Sequence, residues 1–223
     1  MNKLFLLNGP AVTVREVTLV SLERRENPKV QTKLVIRTNQ SIFCPQGGGQ
    51  PSDIGTIEST DGKVLADVLF AGISSGSGDV ELYCNAAASA SVEGGVAESN
   101  LELLEGILAA GGVVVLKVDV KRRATNCILH SAGHLIDTAV SRLGLTANLK
   151  PGKGYHFPDG PNVEYEVLAE GASTCALLSD LDALTASISE IFRSLVTESV
   201  PTDISFESRA DAATKLNETL EGR

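Results

Sequence analysis

Apolar residues alternate or run together in short stretches through the first 118 positions, then recur at helical spacing. Ala11–Leu22 and Gln31–Arg37 carry runs of Val, Leu and Ile on either side of the polar stretch Arg24-Arg25-Glu26-Asn27-Pro28, which predicts two strands joined by a turn. Thr56–Glu58 and Val64–Phe70 flank Asp61-Gly62, a strong turn dipeptide, and predict a hairpin. Gly72–Gly78 reads as a loop, Asp79–Cys84 as a strand, Leu101–Leu108 as a short helix and Gly111–Val118 as a buried strand. Residues 85–100, rich in Ala, Ser and Gly, carry little periodic signal.

From Lys117 to Leu143 the period changes. Ile128, Leu135, Ala139 and Leu143 recur at helical spacing, Ile136 and Val140 widen the stripe, and Gly144 stands where a left-handed C-terminal cap is expected. Next, Pro158-Asp159-Gly160 predicts a turn between two antiparallel strands within 149–166, which leaves His156 facing either the core or a site. A second helix is expected from Ser179, with Ser179 and Asp182 as a capping box and Leu181, Leu184, Ile188, Ile191, Phe192 and Leu195 as its apolar stripe; Pro201 ends it. Thr202–Phe206 reads as a strand and Arg209–Leu220 as a polar helix. The change of period near Asp119 divides the chain into a β-rich part, 1–118, and a mixed part, 119–223.

The long helix carries the first candidate chemistry. His130 and His134 stand four residues apart, which places their Cβ atoms on one face about 6 Å apart, so one rigid element can offer a metal ion two ligands. Ser131 follows His130 where a metalloprotease needs its glutamate base, which excludes that class. Two ordinary helical histidines remain the alternative on spacing alone. The second stretch is Cys44-Pro45-Gln46-Gly47-Gly48-Gly49-Gln50-Pro51-Ser52-Asp53. Three consecutive glycines reach backbone angles closed to other residues and can turn amide N–H groups toward an oxygen-rich ligand, although a tight inter-strand loop needs the same freedom. Neither a phosphate-cradling loop nor a dinucleotide fingerprint is present, because no Gly-Lys-Ser/Thr and no matching glycine spacing occurs there.

Composition narrows the field. At 223 residues and 43% hydrophobic content the chain can bury a sizeable core, aliphatic because Trp is absent and aromatics make up 4%. Its apolar runs are too short to span a bilayer and its N-terminus does not read as a signal peptide, so a cytoplasmic protein is expected, with no membrane partner. Cys44, Cys84, Cys127 and Cys175 lack paired Cys-x-x-Cys spacing, which argues against a disulfide scaffold and a zinc ribbon. A net charge of −9 disfavours non-specific nucleic-acid binding, and DNA is not an expected partner. Lys117, Lys121, Arg122, Arg123, Lys150 and Lys153 nevertheless cluster around the histidine helix in sequence.

Taken together and in order, these stretches resemble the editing domain of alanyl-tRNA synthetase and the stand-alone alanyl-tRNA editing proteins, relatives of the threonyl-tRNA synthetase editing domain. Gly47-Gly48-Gly49-Gln50-Pro51-Ser52-Asp53 is similar to the family's glycine-rich motif, and His130-Ser131-Ala132-Gly133-His134-Leu135 to its first metal motif. Val118-Asp119 with Arg122-Arg123 resembles the segment before that helix, and Gly154-Tyr155-His156-Phe157-Pro158-Asp159-Gly160 the hairpin after it. The resemblance implies an α+β fold, with a small glycine-rich β-barrel-like domain at 1–118 and an editing domain at 119–223 whose helices pack on an antiparallel sheet. It implies a zinc-dependent hydrolase that cleaves serine or glycine from the acceptor end of mischarged tRNA(Ala), a discrimination that a synthetic site cannot make by binding alone.

On this resemblance His130 and His134 bind zinc, and His130, His134 and Gln50 are the catalytic group. Gly47, Gly48, Gly49, Gln50, Asp53, Arg122, Arg123 and His156 are expected at the substrate, with the basic residues near the acceptor phosphates. Two departures accompany it. The family completes its zinc site with a Cys-x-x-x-His segment, and no such spacing occurs in residues 1–223; Cys127, three residues before His130, is a possible substitute or a small buried thiol. Cys44-Pro45-Gln46 occupies the place of an aromatic and an acidic residue. Three other readings compete: threonine-tRNA editing, a non-catalytic tRNA-binding module with a degenerate metal site, and a structural protein whose motifs coincide by chance.

Overall fold

The computed structural model describes residues 2–3, 5, 11–27, 29, 31–87, 96–168, 176–199, 208, 210–211 and 213–214. The Val/Leu/Ile alternation of the first part becomes strands β1 (Asn2–Lys3), β2 (Val14–Asn27), β3 (Thr32–Thr38), β4 (Gln40–Ser41), β5 (Gly55–Glu58), β6 (Val64–Ile73), β7 (Val80–Ala86) and β8 (Val113–Val118). Six of them close into an antiparallel barrel in the order β2-β3-β7-β6-β5-β8. Closure removes the unpaired edges that an open sheet would expose.

Barrel interior and exterior follow the two-residue period. Ile36, Ile57, Leu65, Leu82, Val114 and Leu116 are completely or almost completely buried, and burial of each such side chain contributes roughly 1.5–3 kcal/mol. Helix α1 (Val96–Ala109) adds Leu101 and Leu104 to the same core. Gly55 permits a close approach between β5 and β8, because a Cβ there would collide with the Lys117 carbonyl.

β2 is longer than expected. Arg24–Asn27, read from their polarity as a turn, continue the strand, with Arg24 opposite Leu34 and Asn27 opposite Thr32. The reason is tertiary: Arg25 and Arg37 both reach the buried Glu81 carboxylate, to which the Tyr83 hydroxyl also donates at 2.8 Å. The turn falls later, with Gln31 at φ 54°. Helix α1 likewise begins five residues before the expected Leu101.

Helix α2 (Val120–Arg142) confirms the long histidine helix. Asp119 caps its start by accepting the Arg122 N–H at 2.9 Å, and Gly144 turns left-handed after its end at φ 72°, as its position predicted. Ala139 and Val140 are buried as expected, but Ile128 is 67% exposed and lies off the packed stripe.

The chain divides into two compact units, Met1–His130 with His156–Gly160, and Ser131–Tyr155 with Pro161–Arg223. The second contains the C-terminal part of α2, the antiparallel pair β9 (Leu149–Tyr155) and β10 (Asn162–Val167), and α3 (Leu181–Glu198). Its core is Val140, Leu145 and Leu149, with Ile136, Leu143, Tyr165, Leu184 and Ile188 packed against them. The fold is thus α+β with a barrel-like N-terminal part. Asp180, not Ser179, caps α3, accepting the Ala183 N–H at 3.0 Å. The strand expected at Thr202–Phe206 and most of the helix expected at Arg209–Leu220 lie outside the described residues.

Candidate functional site

The glycine stretch folds as a tight reverse turn. Gly47 and Gln50 exchange backbone hydrogen bonds of 3.2 and 3.0 Å, and the two residues between them, Gly48 and Gly49, have φ of 56° and 76°. Such a turn requires left-handed backbone at both central positions, which explains consecutive glycines. The loop that carries it is closed at its base, where the Asp53 N–H donates to the Cys44 carbonyl at 3.0 Å and the Cys44 N–H to Asp53 Oδ2 at 2.6 Å.

Two histidines of the same compact unit meet this turn. His130 arrives from α2, and its Nδ1 lies 2.8 Å from Gln50 Oε1. His156 follows β9; its N–H donates to the Gly49 carbonyl at 2.8 Å and its imidazole stacks on that of His130, ring centroids 4.5 Å apart and planes 15° off parallel. His156 is buried, so its ring forms a wall for His130. A side-chain amide oxygen only accepts, so Nδ1 of His130 carries the proton and Nε2 of the neutral ring keeps its lone pair. That is the form in which an imidazole acts as a base or as a metal ligand.

Asn126, one turn before His130, was not singled out by the sequence reading. It is fully buried and donates from Nδ2 to the Pro51 carbonyl at 3.3 Å, so the helix face that carries His130 also grips the glycine loop. An amide residue four positions before His130, on the helix face that also carries Arg122 and Arg123, was the available signal. Cys44 Sγ lies 3.9 Å from Gln50 Nε2, which orients the Gln50 amide with its oxygen toward His130. Burial, aided by the nearby Asp53 charge, pushes the Cys44 thiol up to about 11.

The remaining expected site residues are placed differently. Asp53 and Arg123 form a buried ion pair, 1% and 4% exposed, and Arg123 also donates to the carbonyls of Val12 and Ile42. Arg123 therefore points into the first unit, tying α2 to the glycine loop, and the buried guanidinium offers nothing to a phosphate. Arg122 is half-buried, Lys117 pairs with Glu58 at 2.6 Å, and Lys150 lies 3.9 Å from Glu166.

His134 belongs to the second unit. It is 70% exposed, with Nδ1 3.6 Å from Asp137 Oδ2. Zinc in a catalytic site takes three protein ligands, whereas the resemblance supplies two imidazoles. Among the described residues no group of three or more His, Cys, Asp and Glu side chains is arranged to hold a metal ion. Cys127 is a free, half-buried thiol, raised above its usual range by burial. Among the described residues no helix is long and apolar enough to cross a membrane.

No protein-family model matches the chain. Among curated proteins it is similar to the alanine-tRNA ligase of Thermotoga petrophila, 29% identical over 129 residues that cover 57% of this chain and 13% of the ligase. It is 30% identical over 105 residues to that of Thermotoga sp. strain RQ2, covering 47% of the chain and 10% of the ligase. The Methanosphaera stadtmanae enzyme is 35% identical over 98 residues, covering 44% and 9%. The chain thus spans about a tenth of the length of these relatives, and about half of it is related to a segment of alanine-tRNA ligase.

Proposed function

We propose that this chain is an aminoacyl-tRNA deacylase that removes serine or glycine from mischarged tRNA(Ala). Similarity to alanine-tRNA ligases supports a role with tRNA. The observation that carries hydrolysis is the 2.8 Å contact between Gln50 Oε1 and His130 Nδ1, made beside a glycine turn and backed by His156.

In this reading Nε2 of His130 accepts a proton from water as the water oxygen bonds to the ester carbonyl carbon. When the C–O bond to the terminal ribose breaks, the same nitrogen returns the proton to the leaving oxygen, giving free amino acid and a tRNA hydroxyl. Gln50 holds the tautomer and His156 holds the ring plane through this cycle. Backbone amides of the glycine turn are the donors available to the carbonyl oxygen. Zinc enters the proposal only as an alternative use of the His130 Nε2 lone pair: His130 and His134 would hold the ion, which would supply Lewis-acid activation of water in place of the base. Two imidazoles fall short of a full catalytic set, so the steps above rest on this chain's own groups.

The short donor set favours a second reading, a tRNA-binding module without catalysis. Deacylation of seryl-, glycyl- and alanyl-tRNA(Ala) by the wild-type chain and His130→Ala, with and without added zinc, separates the two. Loss of serine or glycine that spares alanine and requires His130 supports the proposal. Folded protein that binds the tRNA and hydrolyses none of them overturns it in favour of the binding module.

A further inference from the structure

The segment that follows the glycine turn runs antiparallel to the start of α2 and is held along one face of it. Asp119, Arg123, Asn126 and His130 follow one another at steps of four, three and four residues, which brings them to one side of the helix. They meet the loop in reverse order. The Asp119 N–H donates to the Ile54 carbonyl at 2.8 Å, the Arg123 guanidinium to Asp53, and Asn126 Nδ2 to the Pro51 carbonyl at 3.3 Å, while His130 Nδ1 lies 2.8 Å from Gln50 Oε1. The lengths agree: from Asp119 to His130 the helix rises about 16 Å, and extended chain from Ile54 to Gln50 reaches about 14 Å. Asn126 is the unusual member of this series. It is completely buried, and its Oδ1 has no hydrogen-bond partner. An unpaired buried acceptor costs stability, and asparagine is a poorer helix former than leucine. The amide thus burdens the fold, and what it supplies in return is one donor to the residue after Gln50.

From this geometry we infer that Asn126 is a positioning residue for the Gln50–His130 contact. By holding the Pro51 carbonyl it fixes the register of the loop against α2, one residue from Gln50 and one helical turn from His130. The other restraints act elsewhere. The buried Asp53–Arg123 pair anchors the loop three residues beyond Gln50, and the backbone bonds between Gly47 and Gln50 tie the turn only to itself. Without the Asn126 bond, Gln50 is left between that distant anchor and a turn of two left-handed glycines, and its side chain can drift from the imidazole. Asn126 touches no reacting atom and acts through Gln50 alone. The inference rests on the deacylase proposal for its effect on hydrolysis, and on the hydrogen bonds themselves for its effect on the contact.

The test uses the full chain and two readouts. The ¹H–¹³C resonance of His130 Cε1, assigned with His130→Ala, reports the surroundings of the ring whether or not the protein hydrolyses anything. Asn126→Leu keeps the branched shape and removes the donor. It is expected to move this resonance in the direction that Gln50→Ala moves it, with a urea midpoint equal to or above that of the wild type. Its kcat for seryl-tRNA(Ala) falls by up to about 100-fold at nearly unchanged KM, the loss that follows a misplacement of about 1 Å. Because Asn126 acts through Gln50, the double variant Asn126→Leu/Gln50→Ala loses no more than Gln50→Ala alone. Asn126→Ala, which needs no extra room, is read in the same way if the leucine variant does not fold. A lower urea midpoint with an unmoved His130 resonance marks a merely structural amide and overturns the inference, as do losses that multiply in the double variant. The two readings fail separately. If the resonance follows Asn126 while the wild type hydrolyses no mischarged tRNA, positioning stands and the deacylase reading falls. If the wild type deacylates while Asn126→Leu matches it in activity and resonance, positioning falls and the deacylase reading stands.

Discussion

Gln50 Oε1 faces His130 Nδ1 at 2.8 Å, across 80 residues of sequence. One contact joins the glycine turn to the long helix and places the ring proton of the neutral imidazole on Nδ1. Replacement of Gln50 by Ala is therefore expected to lower kcat for seryl-tRNA(Ala) deacylation about 10–100-fold with little change in KM. Gln50→Glu, which still accepts from Nδ1, retains more activity than Ala. Equal loss in both variants would mean that Gln50 contacts substrate directly.

The Asp53–Arg123 pair predicts a stability effect. With both partners buried, Asp53→Asn leaves a guanidinium without its counter-charge and costs about 3–5 kcal/mol in urea unfolding. Arg123→Met leaves the buried Asp53 carboxylate without its counter-charge and strips the Val12 and Ile42 carbonyls of their donor, so it costs at least as much as Asp53→Asn. A loss below about 1 kcal/mol for Asp53→Asn would show that the pair is solvated in solution.

Gly48 tests the turn. A Cβ there meets only ordinary contact, 3.8 Å from His130 Cε1, so the cost of Gly48→Ala comes from its φ of 56°, about 1 kcal/mol. Thermal melting reads that loss. Gly55→Ala, whose methyl would collide with the Lys117 carbonyl in the barrel wall, should lower the melting temperature much further.

The Cys44 thiol supplies a pH dependence. Burial and the Asp53 charge raise it from 9.0 to about 11, so at pH 8 its thiolate is roughly a hundredfold scarcer than that of an ordinary cysteine. Iodoacetamide labelling mapped by mass spectrometry should find Cys44 slow in the native protein and normal once unfolded. The folded state holds the proton more tightly than the unfolded chain, so this contribution to stability is complete below pH 9 and declines as pH rises toward 11. Labelling of native Cys44 at the rate of a free thiol would refute the shift.

Local pattern carried much of the fold. The helix through His130 and His134, its Gly144 cap, the Asp61-Gly62 hairpin and the Pro158-Asp159-Gly160 turn depend on neighbours a few residues away, and each was legible from spacing. Arg24–Asn27 were misassigned because polar residues at a strand end look like a turn until Glu81, far along the chain, is seen to receive the arginines. Asp180 replaced Ser179 as a cap because adjacent residues of similar propensity compete, and packing of the following helix chooses between them.

The site divides in the same way. Sequence by itself determined that Gly47–Gly49 reach backbone angles closed to other residues, that His130 and His134 share a helix, and that a chain of this composition buries an aliphatic core, because these follow from backbone sterics and periodicity. Only the tertiary structure decided that Gln50 and His156 meet His130, that Arg123 is spent on Asp53, and that Asn126 takes the Pro51 carbonyl. Those pairings join residues up to 80 positions apart, and no local periodicity records which polar group a folded chain will bring to another.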